Sequence, residues 1–204
     1  IDAEDIRAQP VSTVAEHIRD LPAVDFAQTG LAQANVVARG FNNIFSGAML
    51  ALTDNRIARV PSLRLNAYNF IPVTNDDIER IELVLGPGSA LYGPNSANGV
   101  MHIITRSPLD QQGTKVNLGL GERSVRRFSA RHAGKIGENL GYKLSLQYFS
   151  GTDWEYVDPE EIELRDYDLS RNSTELRIDY RPNDDLTAIV STGYNSADNI
   201  EMTG

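Results

Sequence analysis

The chain has 204 residues, a formal net charge of -9 and no cysteine, and its isoelectric point lies near 4.8. Binding nucleic acid through phosphate neutralisation requires clustered lysines and arginines, so this charge argues against a nucleic-acid partner. Without cysteine, neither a disulfide framework nor a thiolate metal site is available. No apolar run reaches the roughly 18 residues of a transmembrane helix. The mean hydropathy of -0.33 is still compatible with membrane strands that alternate apolar and polar residues.

The N-terminal region predicts a short helix. Thr13 precedes Glu16 by the spacing of a capping box. Apolar residues would then share one helical face before Pro22 ends the helix, namely Val14, Ala15, Ile18 and Leu21. Ile1 begins the chain without the basic region and apolar core of a signal peptide, as expected of a processed or truncated product.

Three further strands and a long loop are predicted before residue 78. The strands cover 24–27, 35–41 and 48–52, with a glycine-containing loop at 28–33. In the second strand, Val36 and Ala38 would face away from Val37 and Arg39.

Residues 56–77 lack a clear period and contain several prolines and asparagines, so they are predicted to form a loop that is either functional or disordered. Tyr68, Asn69 and Phe70 would either contact a ligand or only pack this loop onto the domain.

The most informative stretch runs from Asp77 to Arg106. A strand at 78–85 is ended by Gly86-Pro87-Gly88, because proline cannot donate to a ladder. Ser89–Tyr92 fits one helical turn, and Asn98-Gly99 begins a second β-branched strand at 100–105. The unit is therefore strand, small-residue loop, strand.

This stretch, IERIELVLGPGSALYGPNSANGVMHIITR, resembles the signature of the plug domain of TonB-dependent outer-membrane receptors. Residues 37–41 match the Arg-Gly-Phe strand of that plug, and residues 4–22 match its opening helix and Leu-Pro corner. One departure is Leu85, which stands where the family usually has arginine before Gly-Pro.

After residue 106 the chain alternates apolar and polar residues with a period of two. The predicted strands cover 114–121, 123–134, 142–149, 175–180 and 186–193. Connections at 121–124, 135–141 and 181–185 are short, whereas 151–172 is long, as in an outer-membrane barrel with short periplasmic turns and longer outer loops.

The predicted fold is an α+β plug domain, a small mixed sheet with short helices, at residues 1–110. Antiparallel strands of an incomplete transmembrane β-barrel follow at 111–204. The family barrel is of the plugged type with about 22 strands, so about five strands could not close it.

The resemblance implies an outer-membrane receptor that binds a scarce nutrient and imports it to the periplasm by energy-coupled plug movement. The nutrient could be a ferric siderophore, cobalamin, a glycan or a peptide. Implied partners are this small-molecule ligand, outer-membrane lipid and the TonB protein of the inner membrane, which would act through a segment N-terminal to Ile1. Neither an enzymatic activity nor a cofactor is indicated.

Candidate substrate contacts are polar and aromatic residues in loops that should face outward. They are Arg39, Asn42, Asn43, Asp54, Asn55, Arg56, Tyr68 and Asn69. The resemblance also implies plug arginines that lie against barrel glutamates, and Arg39, Arg80 and Glu82 are the candidates for this plug-barrel contact.

Other chemistry-bearing patterns are weak. The Gly-Pro loops lack the Gly-Lys-Ser/Thr of a phosphate loop, and His17, His102 and His132 lie on different predicted elements without metal-ligand spacing. No Gly-x-Ser-x-Gly elbow is present. The acidic residues of 153–168 either form a solvated loop or bind a cation or calcium, although EF-hand spacing is absent.

The alternative to a receptor is a soluble binding or adhesion module with an α+β domain and a separate β-sheet. Strand faces discriminate between the two. In a soluble sheet the apolar side packs against a second layer, whereas in a membrane barrel Leu176, Ile178 and Tyr180 would face lipid, with Tyr180 in an aromatic girdle.

Overall fold

The computed structural model describes residues 1–9, 11–38, 49–58, 66–155 and 166–199. The chain divides into two compact units, the first ending at Arg106 and the second beginning at Ser107. In the described ranges, no helix has the length and apolar character needed to cross a membrane.

The N-terminal segment contains two short helices instead of one. Asp2 caps α1 (Ala3–Ala8) by accepting hydrogen bonds from the backbone amides of Glu4 and Asp5. The predicted capping box between Thr13 and Glu16 is confirmed, but it begins a 3-10 helix, Val14–Ile18, that ends before Leu21.

A two-stranded hairpin follows, formed by β1 (Val24–Gly30) and β2 (Gln33–Ala38). The predicted loop at 28–33 is therefore wrong, since only Leu31 and Ala32 separate the strands. Consecutive residues Val36, Val37 and Ala38 are all buried, so both faces of this strand end are covered.

The first unit is built on a four-stranded mixed sheet with the order β4-β3-β6-β5. Its strands are β3 (Met49–Thr53), β4 (Arg56–Ile57), β5 (Ile78–Leu85) and β6 (Gly99–Thr105). β6 pairs in parallel with β3 and antiparallel with β5. The central strands were predicted, but β4 and the 3-10 helix Tyr68–Phe70 lie in the region predicted to be loop.

One apolar cluster holds the first unit together. It joins Ile6, Ala15 and Ile18 of the helices to Met101 and Ile103 of β6, with further members from β2, β3 and β5. Such interdigitated burial is the main favourable term in folding.

The second unit is an antiparallel meander in the order β11-β10-β9-β8-β7. The strands are β7 (Gly113–Leu120), β8 (Arg126–Ile136), β9 (Leu140–Thr152), β10 (Asp168–Asn183) and β11 (Leu186–Asp198). All five predicted strands are present in sequence order, and β9, β10 and β11 extend beyond the predicted bounds. The predicted long connection at 151–172 is therefore wrong at both ends, since residues 151–152 and 168–172 belong to strands.

The two faces of this meander differ in composition. The buried face carries Lys143, Glu175, Arg177 and Asp179, with Arg177 Nε 2.7 Å from Asp179 Oδ1. The opposite face exposes Leu118, Leu144, Leu146, Leu176, Tyr180 and Val190. The polar face is buried and the apolar face is exposed, the reverse of a soluble sheet.

Gly99 begins β6 at a point where a side chain does not fit. A Cβ there would lie 2.5 Å from the backbone oxygen of Val84 on β5. We expect Gly99→Ala to destabilise the β5–β6 pair by about 1–3 kcal/mol, because overpacking against backbone forces the strands apart. Hydrogen exchange in the complete gene product should show faster exchange at 81–85 and 99–103.

Gly119→Ala is the matched control, because its Cβ would only reach Arg127 Cβ at 3.5 Å, an ordinary contact. Equal exchange in both variants would contradict the steric argument.

His17 is buried between two amides, with Nδ1 3.0 Å from Gln9 Oε1 and Nε2 3.2 Å from Asn75 Oδ1. Burial lowers the pKa of His17 and outweighs the hydrogen bond to Asn75. The unfolded chain therefore takes up this proton first, so the contribution of His17 to stability is full above about pH 6.5 and is lost as pH falls through the depressed folded pKa.

His17→Gln retains hydrogen bonding without titrating. The free energy of unfolding of the first unit should therefore fall less on acidification from pH 7 to 5 in this variant than in the wild type, as measured by urea denaturation at each pH. Parallel pH profiles would contradict the assignment.

Candidate functional site

The sheet of the first unit has two edges with different loops. β3 and β6 run parallel and β5 runs opposite, so the start of β6 and the end of β5 lie at one edge with residues 86–98. We call this the Gly86 edge. The turn at Asp54 and Asn55 lies at the other edge with Thr105, which we call the Asp54 edge.

The loop at the Gly86 edge is closed by backbone hydrogen bonds. Gly86 N donates to Asn98 O at 3.0 Å and Gly88 N donates to Ser96 O at 2.8 Å. Within this frame lies α2 (Ser89–Tyr92), which confirms the predicted helical turn. Gly86 and Gly93 have positive φ angles of 107° and 79°, a conformation that glycine adopts without steric cost.

This closed loop presents an apolar side chain. Leu91 is 87% exposed at its tip, and Asn95 follows in a left-handed conformation with φ 68°. Neither residue was among the predicted substrate contacts. The sequence offered one indication that Leu91 is exposed. It is an aliphatic residue inside a loop of glycine, proline and asparagine, and such a loop has no core in which to bury it.

The Asp54 edge is held together by the Asp54 carboxylate. Its Oδ1 accepts a hydrogen bond from Thr105 N at 2.8 Å and its Oδ2 accepts one from Thr105 Oγ1 at 2.6 Å. Asn55 N donates to His102 Nε2 at 3.3 Å, so His102 is a buried residue with a hydrogen-bond partner, as predicted. These contacts fasten the β3–β4 turn to the end of β6.

The described candidates for substrate contact fall into two groups that differ in exposure. Asp54, Asn55 and Arg56 lie at the Asp54 edge, and Tyr68 and Asn69 are only 3% and 7% exposed. Burial raises the pKa of the Tyr68 phenol. The burial of Tyr68 and Asn69 favours the packing role over ligand contact, the two roles considered for residues 68–70. Arg39, Asn42 and Asn43 lie outside the described residues.

Arg56 lines a cavity of about 280 Å³ together with Thr53, Ile57 and Phe70, on the side of β4. The lining is mainly apolar. The hydroxyl of Thr53 is buried there without a hydrogen-bond partner among the described residues.

Arg80 and Glu82 pair with each other along β5, with Arg80 Nε 2.8 Å from Glu82 Oε1. Glu79 lies 2.6 Å from Arg80 Nη1. The hydrogen bond to Arg80 lowers the pKa of Glu82, and the same bond raises that of Arg80. Their role in a plug-barrel contact stays a prediction.

Among the described residues, no group of three or more histidine, cysteine, aspartate or glutamate side chains has the arrangement of a metal site. Part of the acidic loop, residues 156–165, lies outside the described ranges, so the calcium hypothesis for 153–168 stays untested.

Residues 1–100 match the family model described as the TonB-dependent Receptor Plug Domain. Similar curated proteins include a Vitamin B12 transporter BtuB of Vibrio vulnificus, 31% identical over 170 residues that cover 78% of this chain and 26% of that protein. One from Vibrio cholerae is 33% identical over 147 residues, which cover 72% of this chain and 23% of the relative. The chain therefore spans about a quarter of the length of the curated relatives it matches.

Solved structures show the same fold. The ferric yersiniabactin uptake receptor FyuA from Yersinia pestis superposes with a TM-score of 0.74 at 17% identity, covering 97% of this chain and 31% of that one. The copper transporter OprC gives a TM-score of 0.70 at 14% identity, covering 92% and 29%. The match extends through both units.

Replacing Asp54 should open the Asp54 edge. Asp54→Ala removes both hydrogen bonds to Thr105 and leaves its amide without this acceptor, at an expected cost of about 1–3 kcal/mol in the free energy of local unfolding. The amide of Thr105 should then exchange with deuterium faster by one to two orders of magnitude, by the equivalence of about 1.4 kcal/mol to tenfold.

Asn55→Gly is the control in the same turn, because φ of Asn55 is 66° and its only described hydrogen bond here is from the backbone. Glycine suits that conformation, so exchange at Thr105 should stay near the wild-type rate. Unchanged exchange in Asp54→Ala would show that the carboxylate does not hold the edge.

Proposed function

This chain belongs to the TonB-dependent receptors, and we propose that it forms the plug and first membrane strands of an outer-membrane receptor that imports a scarce nutrient into the periplasm. Members of this family are transporters rather than enzymes. The proposal concerns the whole receptor, of which the chain spans about a quarter by comparison with its curated relatives.

The observation that carries the proposal is the reversed polarity of the meander. Leu144 on β9 lies opposite Leu176 on β10, and these side chains are 41% and 39% exposed. On the buried face, Lys143 lies opposite Arg177 in the strand register. A soluble sheet would bury the leucines and solvate the charges. A strand that faces lipid on one side and a polar interior on the other requires the opposite arrangement.

Strand lengths and connections agree with a membrane location. β9 has 13 residues and β10 has 16, more than the roughly 9–11 residues that a tilted strand needs to cross the hydrocarbon core. The short turns after β8 and β10 lie at one end of the meander, and residues 153–167 connect β9 and β10 at the other. We assign the short-turn end to the periplasm.

Within the plug sheet, we propose that the Gly86 edge takes part in nutrient capture, because its loop presents the exposed side chain of Leu91. Leu91 and Asn95 are then candidate nutrient contacts, with Asn42 and Asn43 retained from the sequence.

The nutrient class is narrowed by the relatives only in general terms. Curated relatives are named as vitamin B12 transporters, and structural neighbours include a ferric yersiniabactin uptake receptor, a ferric enterobactin receptor and a copper transporter. We propose a ferric siderophore or cobalamin, large ligands that offer both apolar surface for Leu91 and acceptors for amides.

Energy coupling is proposed to act through a segment N-terminal to Ile1. The terminal nitrogen of Ile1 donates to Ile81 O on β5 at 3.0 Å, and Ile81 N donates to Ile1 O at 3.0 Å. A pull from the TonB protein on such a segment would therefore load the edge strand of the plug sheet first.

Uptake in a deletion strain tests this proposal, using radiolabelled cobalamin and a panel of ferric siderophores. Complementation by the wild-type gene should restore uptake of one ligand. Leu91→Ala should raise the half-saturating concentration about tenfold, the equivalent of about 1.4 kcal/mol of lost apolar contact.

Ile57→Ala is the matched control, because Ile57 is an exposed aliphatic residue, 63% accessible, at the opposite edge. No uptake defect in the deletion strain for any ligand would count against the transporter. Equal effects of the two substitutions would count against the assignment of the Gly86 edge.

A further inference from the structure

A polar row crosses the exposed face of the meander near its long-loop end. Strand register places Arg126 opposite Ser150, Ser150 opposite Ser170, and Ser170 opposite Asp198. These residues share the face of Leu144 and Leu176, since they are separated from them by even numbers of positions. We call this set the Arg126 row.

The Arg126 row lies directly beyond the apolar band of the same face. Tyr148 precedes Ser150 by two positions and Phe128 follows Arg126 by two, and these aromatic residues are 39% and 37% exposed. Two positions correspond to about 7 Å along a strand. Because the polar layer on each side of the hydrocarbon core is about 5–8 Å thick, the row lies at headgroup depth if the apolar band lies in lipid.

The row lines a cavity built for hydrogen bonding. A volume of about 490 Å³ is bordered by Arg126, Ser150, Thr152, Asp168, Ser170 and Asp198, among others. Thr152 Oγ1 donates to Asp168 Oδ1 at 2.7 Å and Ser170 Oγ donates to Asp198 Oδ2 at 3.2 Å. The carboxylates are thus fixed in place as acceptors along one wall.

Two groups of the row have unused donors. In the part of the chain that the structure describes, neither the guanidinium of Arg126 nor the hydroxyl of Ser150 forms a hydrogen bond or ion pair. Arg126 and Asp198 lie at opposite ends of the row, three strand spacings or about 14 Å apart. A single ligand could therefore meet a cation at one end, hydroxyls in the middle and carboxylates at the other.

We infer that the Arg126 row binds the phosphorylated saccharide headgroup of an outer-leaflet glycolipid. Arginine recognises phosphate with its planar set of donors, while serine, threonine and aspartate oxygens accept hydrogen bonds from sugar hydroxyls. A saccharide offers the carboxylate end of the row more hydroxyl donors than a phospholipid headgroup does. The inference rests on the proposed membrane location of the meander.

The test uses the complete gene product, extracted from outer membranes in mild detergent and delipidated. Purified lipopolysaccharide is added, and its occupancy is measured by native mass spectrometry. The double variant Arg126→Gln/Ser150→Ala should bind about tenfold more weakly than wild type, because it loses charge-assisted and neutral hydrogen bonds.

Arg181→Gln/Thr192→Ala is the control, since it removes one guanidinium and one hydroxyl outside the row, at the short-turn end and in the middle of β11. It should bind like wild type. Equal binding by all three proteins, or equal binding of phosphatidylglycerol and lipopolysaccharide, overturns the inference. Retention of the soluble core oligosaccharide without preference for the intact glycolipid overturns the lipid source.

A gel shift on boiling separates this inference from the proposed function. Each protein is first checked for location in the outer membrane and for slower migration after heating. A wild-type protein that is soluble and shows no shift defeats the proposed function and the inference with it. A shift in all three proteins, with lipopolysaccharide binding unaffected by the row, defeats the inference alone.

Discussion

The shared strand β6 is the constraint on which the first unit depends. It pairs in parallel with β3 on one side and antiparallel with β5 on the other, so its direction decides which loops meet at each edge. All residues of β6 except Ile104 are buried. β5 approaches β6 so closely at Gly99 that a Cβ on residue 99 would lie 2.5 Å from Val84 O. The Gly86 loop lies at the start of β6 and the Asp54 turn at its end, so the length of this strand separates them.

Much of this arrangement could be predicted from the sequence, because local signals and tertiary structure agree along β5, α2 and β6. Gly86 and Gly93 occur where positive φ is needed, and β-branched residues fill the buried strand. The prediction was weaker where tertiary contacts decide. The glycine and glutamines of 28–33 favour a loop, yet all three lie in the strands of a hairpin whose second strand ends in buried residues.

The candidate site was harder to predict than the fold. The turn at 54–56 has the composition of an exposed recognition loop. The sequence does not reveal that β3 pairs in parallel with β6, which places this turn beside Thr105. Tyr68 and Asn69 are polar enough to suit a ligand and are nevertheless buried. Leu91 is the opposite case, an apolar residue that is exposed. The sequence shows that its loop has no core, but only the structure shows that Leu91 is not buried elsewhere.

In the second unit, alternation of residues was sufficient for the order of the strands and for their faces, though not for their ends, because a period of two leaves only the choice of which face is buried. Charges on that buried face must find partners, since an isolated buried charge costs several kcal/mol. Arg177 and Asp179 meet this requirement with two hydrogen bonds of 2.7 and 2.9 Å, and Ser107 adds a third to Asp179 at 2.7 Å. Ser107 begins the unit, so this network also ties its first residue to β10. The exposed leucines of the opposite face, in contrast, are not buried by any residue that the structure describes. In the proposed membrane location an apolar solvent stabilises that face, and the polar Arg126 row lies where such a solvent would end.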